Sequence, residues 1–216
     1  MCHREIDSFV LTRNKMVRDL KDRYGIYSRN LLDIMEKTPR HLFISEALRY
    51  RAYKDTSLPI GFNQTISKPS TIARMVQSLN LTGDEMVLEI GTGSGYQSAI
   101  IAQLVNHLTT TERIKELHQR ARELLLFNLG FNNIKMIHEE NFLGIDDLFD
   151  AIIISAGAGS LPVQLFDKLV DNGVLVTPVE KHGEHRIMRY IKKSDNRIIE
   201  DDLGQAIFVP LVYEKT

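Results

Sequence analysis

The sequence has a single cysteine, Cys2, in 216 residues, so no intrachain disulfide can form and no cysteine-based metal cluster can assemble. No run approaches the roughly 18 apolar residues that a membrane-spanning helix needs. The first ten residues, MCHREIDSFV, lack the apolar stretch of a secretory signal. Neither sign of charge is in excess. Against 27 Lys and Arg stand 28 Asp and Glu, a net charge of −1, which leaves no global field to recruit nucleic acid or an anionic membrane. Internal repeats, low-complexity tracts and Pro/Gly/Ser linkers are missing too. The seven histidines fall into no H-E-x-x-H or similar spacing, so no metal site is expected. These absences imply a cytoplasmic protein with no nucleic-acid or membrane partner.

What is present is ordinary globular material, with 43% hydrophobic and 25% charged residues. The length is enough to bury a full core, and the chain reads as one domain over 1–216. Residues 1–70 form a helical and irregular N-terminal extension and residues 71–216 an α/β core. The spacing of Ile6, Phe9, Val10, Val17, Leu20 and Tyr24 predicts a helix over 6–24, with Asp7 or Ser8 as cap. A second helix is predicted from Ser28 to Lys37, stopping before Pro39. Residues 40–70 show little periodicity and predict an irregular segment wrapping the core; long stretches of that kind are usually functional.

From residue 70 strands and helices alternate. Helices are predicted over 71–79, 97–104, 113–129 and 162–171. Strands are predicted at Met86–Ile90, Leu108–Thr111, Ile134–Ile137, Phe149–Ile154 and Val174–Thr177, followed by antiparallel strands at Arg186–Lys192 and Ala206–Val212. That order predicts a doubly wound, mostly parallel sheet with an antiparallel end.

The stretch Glu89-Ile90-Gly91-Thr92-Gly93-Ser94-Gly95 follows a strand and opens a helix. Glycines allow a tight turn and close approach of a ligand to the backbone, and a helix N-terminus offers free N–H groups. Dinucleotide sites use G-x-G-x-x-G, whereas here the spacing is G-x-G-x-G after an acid. Glu112 ends the next strand, where an acid can accept hydrogen bonds from both ribose hydroxyls. Together these residues imply an adenosine-containing ligand without a pyrophosphate, and S-adenosyl-L-methionine fits best.

Other blocks carry a resemblance. Thr38-Pro39-Arg40-His41-Leu42-Phe43, Glu46-Ala47-Leu48, Arg51-Ala52-Tyr53, Asp55-Thr56 and Leu58-Pro59-Ile60-Gly61 lead into Gln64-Thr65-Ile66-Ser67 and Pro69. With Leu88–Gln97, Glu112-Arg113-Ile114 and Phe208-Val209-Pro210-Leu211, they resemble the protein-L-isoaspartate O-methyltransferase family over roughly residues 15–212. The resemblance implies a Rossmann-like methyltransferase sheet. It also implies methylation of the free carboxylate of isoaspartyl residues in damaged peptides and proteins. S-adenosyl-L-homocysteine is then the second product, and the ester closes to a succinimide. It places Ser67 at the family's active-site serine and Gln64, Thr65 and Ile66 in its cofactor-contacting loop. Glu89, Gly91, Gly93 and Gly95 fall in the cofactor loop, with Glu89 and Gly91 at the methionine end, and Glu112 falls at the ribose.

No G-x-S-x-G elbow surrounds Ser67, and a carboxylate nucleophile is ionised at neutral pH without a general base. Ser67 is therefore expected to orient groups rather than to attack. Three positions depart from the family pattern. Gly-Asp-Gly reads Glu139-Glu140-Asn141, where Glu140, with Asn141 in the turn, is expected to take the adenine-facing role. Gly-His-Gly-Gln reads Gly61-Phe62-Asn63-Gln64, and an Arg before Phe-Val-Pro-Leu reads Ile207. A second reading is a diverged relative that binds S-adenosyl-L-methionine and methylates another substrate, or only binds. An RNA methyltransferase is disfavoured, because no Asn/Asp-Pro-Pro-Tyr follows Ile152-Ile153-Ile154.

Overall fold

The computed structural model describes residues 8–139, 144–155, 161, 163–181, 183–195 and 197–205. Seven strands form one sheet: β3 (Met86–Ile90), β4 (His107–Glu112), β5 (Ile134–His138), β6 (Phe149–Ile154), β7 (Leu169–Lys181), β8 (Glu184–Lys192) and β9 (Ile198–Gln205). Their order is β5-β4-β3-β6-β7-β8-β9. Pairings from β5 through β7 are parallel, while β8 and β9 close the sheet antiparallel. This is the doubly wound, mostly parallel sheet with an antiparallel end that the sequence predicts.

The chain leaves β3 toward β4 on one side and later returns to β6 on the other. That makes the carboxyl ends of β3 and β6 the switch point where such sheets bind ligands. Alternation along β3 puts Leu88 and Ile90 into the core on one face, with Ile152, Ile154 and Leu175. Val87 faces the other core, with Ile153 and Val176. Both faces are covered, as a parallel sheet requires.

The first face-covering layer comes from the N-terminal part. Helix α1 (Val10–Tyr24) buries Arg13, Met16 and Leu20 and ends at Gly25 in the left-handed region. The helix begins later than expected: Phe9 occupies the cap position without a side-chain bond. Ser8 therefore does not cap it, and Asp7 lies outside the described residues. Helix α2 (Arg29–Lys37) is capped by Ser28, whose hydroxyl accepts from the Leu31 amide, and it buries Leu31, Leu32, Ile34 and Met35. Helix α3 (Pro69–Ser78) starts on a proline, whose missing N–H is no loss there.

Residues 40–68 are more ordered than predicted. Two 3-10 turns, Arg40–Phe43 and Glu46–Arg51, precede an antiparallel hairpin of β1 (Leu58–Gly61) and β2 (Gln64–Ile66). Phe62 and Asn63 turn this hairpin with φ of 53° and 56°, a conformation usually announced by Asn-Gly. A phenylalanine there hides the signal.

Two further expectations are corrected. The helix predicted over 113–129 runs as α5 (Lys115–Arg122) and then widens into a π turn over Glu123–Asn128, with the Leu129 amide donating to the Leu124 carbonyl. The helix predicted over 162–171 is a 3-10 turn, Val163–Lys168, followed by strand from Leu169. Leu165 and Leu169 are both buried in the second core, so their i,i+4 spacing mimics a helix. Leu169 already pairs with Phe149, and the register then shifts before Ala151 meets Val174. The strand predicted at Ala206–Val212 lies outside the described residues, and the last strand described is β9.

Candidate active site

The site begins where β3 ends. Alternation that sends Leu88 and Ile90 to one core sends Glu89 toward α4 (Tyr96–Ala102), and Glu89 is fully buried. Its carboxylate accepts from Gln97 Nε2 at 3.0 Å, from Thr110 Oγ1 at 2.7 Å and from the Ser98 hydroxyl. Thr110 sits opposite Glu89 in the β3–β4 register. Burial pushes the Glu89 carboxyl up to about 7, against the pull of these three donors. Gln97 Nε2 also donates to Ser155 Oγ at 2.6 Å, tying the end of β3 to the residue after β6.

The loop itself is a chain of backbone bonds. The amides of Gly91 and Thr92 both donate to the Thr111 carbonyl, and the Gly95 amide donates to Thr92. Gly95 caps α4 with φ of 85°. A Cβ there would lie 3.1 Å from Leu125 Cδ1, so this glycine serves the close seat of α4 on the π turn and does not line the cleft. Glu112, 7% exposed, accepts the Gly93 amide at 2.8 Å on one oxygen and the Ile114 amide at 2.9 Å on the other. A carboxylate has about four lone-pair positions. Two thus remain for a pair of hydroxyls, which is the chemistry a ribose needs.

The hairpin supplies the opposite wall. Gln64, Thr65, Ile66 and Ser67 face Gly91, Gly93 and Glu112 across a cavity of about 70 Å³. The structure therefore brings seven of the expected site residues together. Glu89 lies beneath the cleft rather than on it, and Glu140 and Asn141 lie outside the described residues. Sequence reasoning did not single out Ile60, Ile72, Thr92, Ser94, Gln97 and Ser155 as site residues, though they line the same cavity. Ser155 could have been found from its place at the end of β6, beside the switch point. Among the described residues no cluster of three or more His, Cys, Asp or Glu could hold a metal ion. No helix there is long and apolar enough to cross a membrane.

A model of the protein-L-isoaspartate(D-aspartate) O-methyltransferase family matches residues 11–216. The chain belongs to that family. A protein-L-isoaspartate O-methyltransferase 1 from Pelobacter propionicus is 45% identical over 209 residues, covering 95% of this chain and 97% of its own. The protein-L-isoaspartate O-methyltransferase of Dictyoglomus thermophilum is 42% identical over 201 residues, covering 92% and 90%. Among solved structures, a Plasmodium falciparum protein described as a family member, in complex with S-adenosyl-L-homocysteine, superposes with a TM-score of 0.80 at 27% identity. That match covers 94% of this chain and 99% of the other. The family's fold is thus the fold found here, with the cleft at its switch point.

Proposed function

We propose that this family member transfers a methyl group from S-adenosyl-L-methionine to the free carboxylate of L-isoaspartyl residues, with Glu112 and Ser67 on facing walls of the cleft. The observation that carries this reading is their meeting. The hairpin segment Gln64–Ser67, specific to the family resemblance, closes on the Gly91–Gly93 loop and Glu112, which suit a nucleoside with an amino-acid tail.

When bound, S-adenosyl-L-methionine supplies an electrophilic methyl on a sulfonium. The protein's own residues do the rest. Glu112 keeps acceptor positions for the ribose, and the Gly91–Gly93 turn lets the methionine end approach the backbone. Glu89 holds that turn from below through Gln97, Ser98 and Thr110. The hairpin excludes water from the substrate carboxylate, which raises its nucleophilicity. Ser67 orients the carboxylate in line, and no base is required because the group is already ionised. The 70 Å³ space under the hairpin adjoins a larger cleft of about 690 Å³ that shares Ile60, Gly93 and Ser94 as lining, and together they suffice for a small-molecule ligand. Near-balanced charge supports a peptide substrate rather than nucleic acid, and a cytoplasmic setting for a protein with one cysteine.

Steady-state methylation of matched isoaspartyl and aspartyl peptides tests the reading. Isoaspartyl turnover should dominate, because the normal residue would misregister the backbone. Ser67→Ala should lower kcat about tenfold or more without unfolding the protein. Comparable rates on the two peptides, or none on either, would replace this reading with that of a diverged relative.

A further inference from the structure

Arg40 is the largest fully buried side chain in the described structure, at 0% exposure. Among the described residues no carboxylate forms an ion pair with it, and only Asp55, beyond ion-pair distance, adds a longer-range attraction. A buried guanidinium without an ion-pair partner is costly to desolvate. Its place is therefore explained by what it holds.

The guanidinium Nε donates to the Ala52 carbonyl at 2.9 Å, and Nη2 donates to the Ser67 carbonyl at 2.7 Å. Its carbon lies 4.7 Å from the centre of the Tyr96 ring, and Tyr96 is the first residue of α4, directly after the cofactor loop. Nη1 has no hydrogen-bond partner among the described residues. Three segments far apart in sequence thus meet on one planar cation: the end of the second 3-10 turn, the active-site serine, and the helix that opens from Gly95. On the far side of Ser67 a second clamp acts. Asp55 accepts from the Ser70 amide at 2.8 Å and from its hydroxyl at 2.9 Å. Ser67 is held in sequence between the two clamps, and Ile66 just before it is buried in the core.

We infer that Arg40 is a positioning residue: it fixes the Ser67 main chain to Tyr96, so that the serine hydroxyl keeps its aim relative to the cofactor loop. The inference rests on the role given to Ser67 above. Lysine could not do the same work, since its ammonium cannot lie flat on an aromatic ring and reach two carbonyls with a fixed fork. Burial lowers the guanidinium to about 10, so it stays cationic at neutral pH.

The experiment is a double-mutant cycle on the full chain, read by methylation of an isoaspartyl peptide and by amide hydrogen exchange. Arg40→Lys should lower kcat about tenfold or more in the wild-type background, with KM for S-adenosyl-L-methionine within twofold. On a Ser67→Ala background the same change should alter kcat less than twofold, because the group it positions is gone. Arg40→Met, which removes the buried charge altogether, is the second variant and should show the same non-additivity. Independently of turnover, both variants should speed exchange at residues 65–67 and leave the loop residues 91–94, which Arg40 does not touch, unchanged. Equal kcat losses in both backgrounds would make Arg40 merely structural and overturn the inference. So would unchanged exchange at 65–67, whatever the activity. Absence of isoaspartyl methylation by the wild type, with exchange responding as expected, would instead count against the proposed reaction and leave the positioning of Ser67 supported.

Discussion

Glu112 and Ser67 face each other across one cleft and are held by different means. Glu112 ends a parallel strand, and both its oxygens take amides from within two residues or from the neighbouring loop, Ile114 and Gly93. Ser67 sits on a covering segment, and its carbonyl is fixed by Arg40, 27 residues away. The sheet wall is built by strand alternation and short-range turns; the cover is built by side chains that reach across the chain. A sheet wall of this kind should carry cofactor affinity and stability, and the cover should carry turnover.

The sharpest separation comes from Glu112→Ala. Loss of a charged acceptor for two hydroxyls should weaken S-adenosyl-L-methionine by about 1.5–3 kcal/mol, roughly ten- to a hundredfold. Ser67→Ala should leave that affinity within twofold. Calorimetry that finds equal losses in the two variants would erase the division between wall and cover. A second contrast uses glycines with similar φ, Gly95 at 85° and Gly61 at 95°. An added Cβ meets Leu125 at 3.1 Å in the first case and only the far end of Arg120, at 3.8 Å, in the second. Gly95→Ala should therefore cost about 2–3 kcal/mol in urea unfolding, and Gly61→Ala about 1, the backbone strain alone.

The same division explains what could be read from the sequence. Strands β3 and β6 are found at their predicted bounds because a buried parallel strand is a short apolar run with few alternatives. The place of the Gly91–Gly93 loop and of Glu112 follows, because the loop after such a strand must lie at the switch point, whereas that Glu89 lies beneath the cleft and that Gly95 packs on Leu125 did not follow from the spacing. The hairpin was not legible: its turn is made by Phe62 and Asn63, and no pattern tells a phenylalanine at positive φ from one in a strand. The role of Arg40 was equally hidden, since its partners at Ala52, Ser67 and Tyr96 share no periodicity with it. The false helix over 162–171 has the same origin, two buried leucines whose spacing suits a helix and a strand entry alike.

Glu89 offers a test by pH. Its carboxyl titrates near 7 when folded, against an ordinary value of 4.5. Between those values the folded protein keeps a proton that the unfolded chain has released, so this group's contribution to stability is full below about 4.5 and is lost as pH rises through 7. Glu89→Gln should flatten the fall in Tm over that window. An equal slope in the variant would place the titration elsewhere and would weaken the case that burial raises the Glu89 carboxyl beneath the cleft.

The smallest effect lies at the hairpin tip, where the cover meets α5. Phe62, 45% exposed, holds a left-handed backbone that costs a non-glycine residue about 1 kcal/mol. The Arg120 guanidinium lies 5.5 Å from its ring centre, and such a contact at an exposed site contributes about 0.5–1 kcal/mol. The two nearly cancel, so the tip is held by an offset pair rather than by burial. Phe62→Asn exchanges the strain for a residue that tolerates this backbone and loses the ring, and stability should move by no more than about 0.5 kcal/mol. Arg120→Ala should cost about 0.5–1 kcal/mol with Phe62 present and almost nothing on the Phe62→Asn background. Thermal unfolding of the four proteins gives the coupling directly. If Arg120→Ala costs the same in both backgrounds, the tip is anchored by something other than the ring, and the cover is more like the sheet wall than its residues indicate.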